Sequence, residues 1–234
     1  MTDGAFDEYA EQYDSWFLEN RNVLQSEVLL IKKALGNPGN ALSVGCGSGI
    51  FELLLRKDHG IHILNGVDPS DDMARIAEQR GMVVKRGKAE RLPFGDAQFD
   101  TVLFNGSPSY IEDLEAAFLE AARVLRLGGW IVVADVPAES SYGLLYRTAA
   151  KVGTWDDPFL RSVAPEHPYP IPFAAAAEWR TTEEKTAMLE EAGFVEFEYF
   201  QTLTRHAKYS DEAVEEPVRG YERGDYVAIR GRKP

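Results

Sequence analysis

The chain has 234 residues, 44% of them hydrophobic and 27% charged, which suits one domain around a single large core. A formal net charge of -13 repels phosphate backbones and anionic bilayers, so nucleic acid and membranes are poor partners, and the acidity reads as a solubilising surface in preference to a sign of cationic substrates. The first residues carry Asp3, Asp7, Glu8 and Glu11 in place of an export signal, and no apolar run approaches the roughly 18 to 20 residues that cross a bilayer, so a soluble, cytoplasmic protein is expected.

Along residues 16–35, Leu24, Val28, Ile31 and Leu35 recur at spacings of four, three and four, which places them on one face of an opening helix that ends at the Gly and Pro of residues 36–39. Residues 41–44, 61–67, 82–85, 99–104 and 130–135 are short runs rich in Val, Ile and Leu and read as buried strands. Helices are expected between them over 51–57, 71–79 and 112–127, the last with Leu114, Phe118, Ala121 and Leu125 on one face. Such alternation predicts an α/β fold, a parallel sheet with helices on both sides.

Residues 137–179 break the rhythm, with five prolines between Pro158 and Pro172 and aromatic residues at Tyr142, Tyr146, Trp155, Phe159, Tyr169 and Phe173, and are expected to cap the sheet. Thr181 and Glu184 form a capping box before a helix carrying Met188 and Leu189 and stopped at Gly193. Two further strands are expected near 194–202 and 225–230. The organisation is thus a single domain: a helical segment over 1–39, a core over 40–136, a cap over 137–180, and a closing helix with a strand pair over 181–234.

The chemistry begins at residues 42–49, LSVGCGSG, where a hydrophobic strand runs into Gly45, Gly47 and Gly49 before a helix. Glycines there allow a tight turn and let a ligand approach the backbone without meeting a Cβ. Asp68 closes the next strand nineteen residues beyond Gly49, where a carboxylate can accept hydrogen bonds from both ribose hydroxyls of a nucleoside. Cys46, the single cysteine, reads as a small packing residue; it cannot form an internal disulfide, and four scattered histidines offer no metal-ligand spacing, so no metal is expected.

Further motifs follow in order: GKAERLPF from Gly87, FDTVLFNGSPSYI from Phe99, ARVLRLGGWIVVAD from Ala122 and LEEAGFVEF from Leu189, after an opening FDEYAEQYDSWF from Phe6. This order resembles the class I S-adenosylmethionine-dependent methyltransferases, especially the group that includes quinone-biosynthesis and other small-molecule methyltransferases. The resemblance spans residues 6–231 and is loosest over 137–179. It implies a Rossmann-like, doubly wound sheet of seven strands with the last antiparallel, S-adenosylmethionine as cofactor and S-adenosylhomocysteine as product. By position it implies that Gly45 and Gly47 face the methionine end of the cofactor, Asp68 binds the ribose, Met73 packs near the adenine, Ala89 and Glu90 border its edge, and Asn105 lies close to the methyl group, with Tyr9 and Tyr13 closing the pocket.

Three positions depart from the family pattern. Ser43 stands where an acidic residue is frequent, Lys88 where an aspartate often accepts from the adenine amino group, and Leu127 where a proline is usual. An ammonium cannot accept a hydrogen bond, so adenine recognition shifts to backbone near Ala89 or to Glu90. The NGSPSY run from Asn105 lacks the adjacent prolines of the loop used by amino-group methyltransferases on planar amides, and that reading is declined.

The resulting expectation is methyl transfer to a small-molecule acceptor by direct displacement at a sulfonium, in a monomer or homodimer. Asp135, at the end of a strand, and His167, in the cap, are the candidate proton acceptors. Two alternatives are a related binding protein without turnover and a nicotinamide-dependent dehydrogenase on a similar glycine turn.

Overall fold

The computed structural model describes residues 10–234, so Tyr9 lies outside the described residues. The expected single opening helix is two, α1 (Ala10–Glu19) and α2 (Arg21–Leu35). The break falls at Asn20, whose backbone leaves the helical region (φ -107°, ψ 61°) and whose side-chain amide donates to the carbonyls of Trp16 at 2.9 Å and His167 at 3.1 Å. An asparagine that bonds backbone carbonyls in this way competes with helix continuation, an effect hydrophobic periodicity does not register. α2 buries Leu24, Val28, Ile31 and Leu35, the face their spacing predicts.

The core then alternates as expected: β1 (Ala41–Val44), α3 (Ile50–His59), β2 (Asn65–Asp68), α4 (Asp71–Gln79), β3 (Val83–Arg86), β4 (Phe99–Asn105), α5 (Leu114–Val124) and β5 (Leu125–Asp135). α5 stops short of Leu127 because Leu125 already pairs with Phe99, so β5 starts five residues before Trp130. Side chains alternate across the sheet with the period of two that extended chain dictates. Leu103, Val132 and Ala134 join the core beneath α2 and α3, while Val102, Phe104, Ile131 and Val133 join the one beneath α5.

The cap is more regular than its prolines suggest. α6 (Ser141–Val152), α7 (Pro158–Val163) and α8 (Ile171–Ala176) fill it, with Pro158 and Pro172 in the first turns of their helices. A proline at a helix start lacks only a donor that would be unpaired anyway, and its fixed φ suits the turn. Asp157 caps α7 by accepting from Phe159 and Leu160. α9 (Thr182–Glu191) opens on the expected capping box, Thr181 accepting from the Glu184 amide at 3.1 Å and Glu184 from the Thr181 amide at 2.7 Å.

β6 (Val195–Thr202), β7 (Val218–Arg219) and β8 (Tyr226–Arg232) complete a sheet of order β3-β2-β1-β4-β5-β8-β6-β7. β8 runs antiparallel to both β5 and β6, as expected for the last strand. β7 is a two-residue edge addition to the seven expected strands. The fold is therefore a Rossmann-like α/β sheet, mostly parallel, with an antiparallel end. Among the described residues no helix is long and apolar enough to cross a membrane.

Asp225, just ahead of β8, is 2% exposed and accepts from the Tyr142 amide at 3.0 Å in the first turn of α6. Burial raises its pKa from 3.8 to about 6. The folded state therefore holds this proton more tightly than the unfolded chain, and Asp225 contributes a loss of stability as pH rises from about 4 to about 6, worth roughly 2 to 3 kcal/mol. Asp225→Asn should remove that component: urea unfolding across the window will show a shallower decline for the variant.

Candidate functional site

Strand order reverses between β1 and β4, and open α/β sheets bind ligands in the crevice this creates beyond the strand ends. The glycine bend lies there. Gly45 and Gly47 have φ of 66° and 54°, a region only glycine enters without cost. Space adds a second requirement at Gly45, where a Cβ would sit 2.5 Å from the Ser107 Cβ. The Gly45 and Cys46 amides donate to the Val67 carbonyl at 2.8 and 3.1 Å, which docks the bend on the end of β2. Burial raises the pKa of the Cys46 thiol, in keeping with a packing role.

Asp68 is held from both sides. Its Oδ2 accepts from the Gly47 amide at 2.7 Å and its Oδ1 from the Ser70 amide at 2.9 Å. It is 6% exposed and lines the cleft. Ser70 caps α4 by accepting from the Met73 amide, which brings Met73 to the same cleft. Ala89 and Glu90 reach it from a single 3-10 turn. Asn105 ends β4, with its Oδ1 accepting from the Tyr226 hydroxyl at 2.9 Å. The structure thus gathers Tyr13, Gly45, Gly47, Asp68, Met73, Ala89, Glu90 and Asn105 around one cleft of about 900 Å³.

A second cavity of about 530 Å³ adjoins it, and Tyr13, Gly106 and Tyr110 belong to both walls. Asp135 lines this second space; its Oδ2 accepts from Ser109 at 2.7 Å and lies 3.6 Å from the Lys185 ammonium. His167 does not join it. Its side chain is 46% exposed beside Glu19 and lines neither cavity, while its carbonyl accepts from Trp16 at 2.9 Å and from Asn20. The cap thus uses the His167 backbone as a strut and leaves the imidazole outside both cavities, apart from the other candidate residues.

Several residues at the site escaped sequence reading. Ser43 donates at 2.6 Å to Glu52, a buried residue in the first turn of α3, so a carboxylate lies behind position 43, although neither residue lines a cavity. Burial raises the Glu52 pKa. Tyr110, the last residue of the NGSPSY run, lines both cavities, and Tyr226 lines the second from a position no motif marks. Glu27 lines the second cavity from the apolar face of α2, and its one sequence signal is an acidic residue three positions after Leu24 and four before Ile31. Asp14 of α1 accepts from Ser48 in the glycine loop and from Arg80, which also donates to the Ser48 carbonyl.

A glycine bend over β1, a carboxylate at the end of β2 and a sheet with an antiparallel end define a nucleoside-binding α/β protein of the methyltransferase type. After β5 comes antiparallel β8, not the second nucleotide-binding half of a dehydrogenase. Comparison with known proteins agrees: a family described as methyltransferase domain matches residues 42–133. An uncharacterized protein of Methanocaldococcus jannaschii is 34% identical over 229 residues, 98% of either chain. A crystal structure from Thermotoga maritima, of an S-adenosylmethionine-dependent methyltransferase described as a possible histamine N-methyltransferase, superposes with a TM-score of 0.84 at 33% identity over 98% of this chain and 99% of that one. The demethylmenaquinone methyltransferase of Roseiflexus castenholzii is 36% identical over 103 residues, covering 42% of this chain and 43% of that protein. The chain belongs to the class I S-adenosylmethionine-dependent methyltransferases, and S-adenosylmethionine is its cofactor.

The lining of the cleft fits that cofactor in its chemistry. It offers a buried carboxylate for hydroxyl groups, apolar Met73 and Ile111 for a flat base, and a bend that meets the cleft with Gly45 and Gly47 for an amino-acid tail. Gly45→Ala should cost about 2 to 4 kcal/mol in urea unfolding, combining overpacking against Ser107 with an unfavourable φ. Adding Ser107→Gly should recover the overpacking share and leave the rest.

Proposed function

We propose that the protein methylates a small molecule bound in the second cavity, beside a cofactor held in the first. The shared wall carries this reading: Tyr13, Gly106 and Tyr110 face both spaces, so an occupant of one borders an occupant of the other. A cavity walled largely by aromatic side chains, several of them from the cap, suits a small organic acceptor. In this assignment Asp68 binds the ribose hydroxyls, Met73 packs near the adenine with Ala89 and Glu90 at its edge, Gly45 and Gly47 face the methionine portion, and Asn105 and Tyr13 lie near the reacting end. Residues 40–136 then form the cofactor half and residues 137–180 the acceptor half of a single domain.

The bound cofactor supplies a methyl group on a sulfonium, which is electrophilic without further activation. The chain therefore has to orient the two partners and keep water out, and orientation of this kind contributes several kcal/mol to barrier reduction. Tyr13, Trp16, Tyr146 and Tyr169 surround the acceptor space and exclude solvent. Asp135, steadied by Ser109 and Lys185, is the proton acceptor for an acceptor atom that enters protonated.

Calorimetric titration tests the assignment. The wild-type protein should bind S-adenosylhomocysteine and give no heat with NADH. Asp68→Ala should lose about 2 to 3 kcal/mol, roughly 30- to 150-fold in Kd. Unchanged affinity in that variant would refute the placement of the ribose, and sustained methyl transfer to any member of a diverse acceptor library would exclude a binding protein without turnover.

A further inference from the structure

The second cavity holds an unanswered electrostatic demand. Glu27 is 4% exposed, yet among the described residues its carboxylate makes no hydrogen bond or ion pair, and it lines the cavity. Tyr146 lines the same space at 3% exposure, and among the described residues its hydroxyl also makes no hydrogen bond. The other polar groups of the lining are engaged. Tyr110 bonds Tyr169 at 2.9 Å, Tyr142 bonds Ser210, Tyr226 donates to Asn105, and Asp135 is bonded to Ser109 with Lys185 close by.

Buried carboxylates are retained when something pairs with them, and the lining contains no Lys, Arg or His to do so. Burial, with Asp135 nearby, raises the Glu27 pKa, which marks how poorly the protein alone supports its charge. The surrounding rings complete a cation site. Tyr146 stacks on Tyr142 at 5.0 Å and on Tyr169 at 5.2 Å, with Trp179 edge-on at 5.9 Å. The stacked neighbours cover the faces of Tyr146, so the faces left to attract positive charge are those of the flanking rings, most strongly where water is excluded. An anionic acceptor would meet two carboxylates, and a neutral one could offer Glu27 a hydrogen bond but no balancing charge.

We infer that the methyl acceptor is a small organic amine, bound as its ammonium ion between the Glu27 carboxylate and the rings around Tyr146; the ammonium gives one proton to Asp135 in the same cavity, and the freed nitrogen lone pair then takes the methyl as S-adenosylhomocysteine leaves. This rests on the second cavity being the acceptor site.

The test uses the full chain saturated with S-adenosylhomocysteine and two probe pairs that share a skeleton, phenethylamine with 3-phenylpropionate and propylamine with butyrate. Calorimetry should show the amine binding at least tenfold more tightly in each pair. Glu27→Gln should weaken amine binding at least tenfold, keep S-adenosylhomocysteine affinity within twofold, and raise Tm, since it removes a buried charge that no protein group compensates. The inference is overturned if the carboxylates bind as well as the amines, if no amine binds, or if Glu27→Gln lowers Tm while amine affinity stays unchanged, which would make Glu27 a structural group. Failure of the wild-type protein to bind S-adenosylhomocysteine, read before any probe is added, would instead sink the cofactor assignment and this inference with it.

Discussion

The hydrogen bond from the Gly47 amide to Asp68 joins the two halves of the cofactor cleft. β1 and β2 are parallel neighbours, with Val44 opposite Val67, so their ends arrive side by side at one edge of the sheet. That register alone would leave the bend and the carboxylate as adjacent but independent groups. The 2.7 Å bond couples them, and a bond of this kind to a charged acceptor stabilises by about 1.5 to 3 kcal/mol. It requires the positive φ of Gly47, which turns the amide toward the carboxylate. The Ser70 amide then fixes the second oxygen and starts α4, and with α4 comes Met73. One contact thus orients the polar and apolar sides of the cleft together.

Strand and helix periods made the sheet and its helices legible, because Val, Ile and Leu runs and the i, i+3, i+4 spacing report directly on burial. The glycine bend and Asp68 were legible for a different reason: their positions relative to the strand ends leave few other uses for them. Reading failed where a side chain acts on distant backbone. Asn20 splits the first helix through a bond to His167, a residue 147 positions away that no local window includes. His167 was marked as a titratable side chain, whereas the fold uses its carbonyl. Ser43 gave no sign of the Glu52 carboxylate that bonds it from the next helix. β7 escaped because two residues carry no periodicity.

The two cavities differ in what builds them. The cofactor cleft is made by strand ends and the turns that follow them, elements positioned by hydrogen-bonded register. The neighbouring space is walled chiefly by α1, α2, α6 and the cap, elements positioned by side-chain packing, with edge-to-face and stacked aromatic pairs throughout. Packing tolerates substitution more readily than a strand register does, so the second wall can be altered without disturbing the first. Glu27 sits in this more adjustable wall, on a helix whose other buried residues are apolar apart from Ser26, which accepts from the Glu215 amide.

Helix α1 is pinned at both sides. Asp14 ties it to Arg80 and Ser48 at the glycine loop, while Trp16 ties it to the His167 carbonyl in the cap. Between these anchors Tyr13 belongs to both cavities. A beam resting on two supports cannot tilt at one end without moving the other. A displacement of this helix that widens one cavity therefore widens the other, so the openings of the two are mechanically linked.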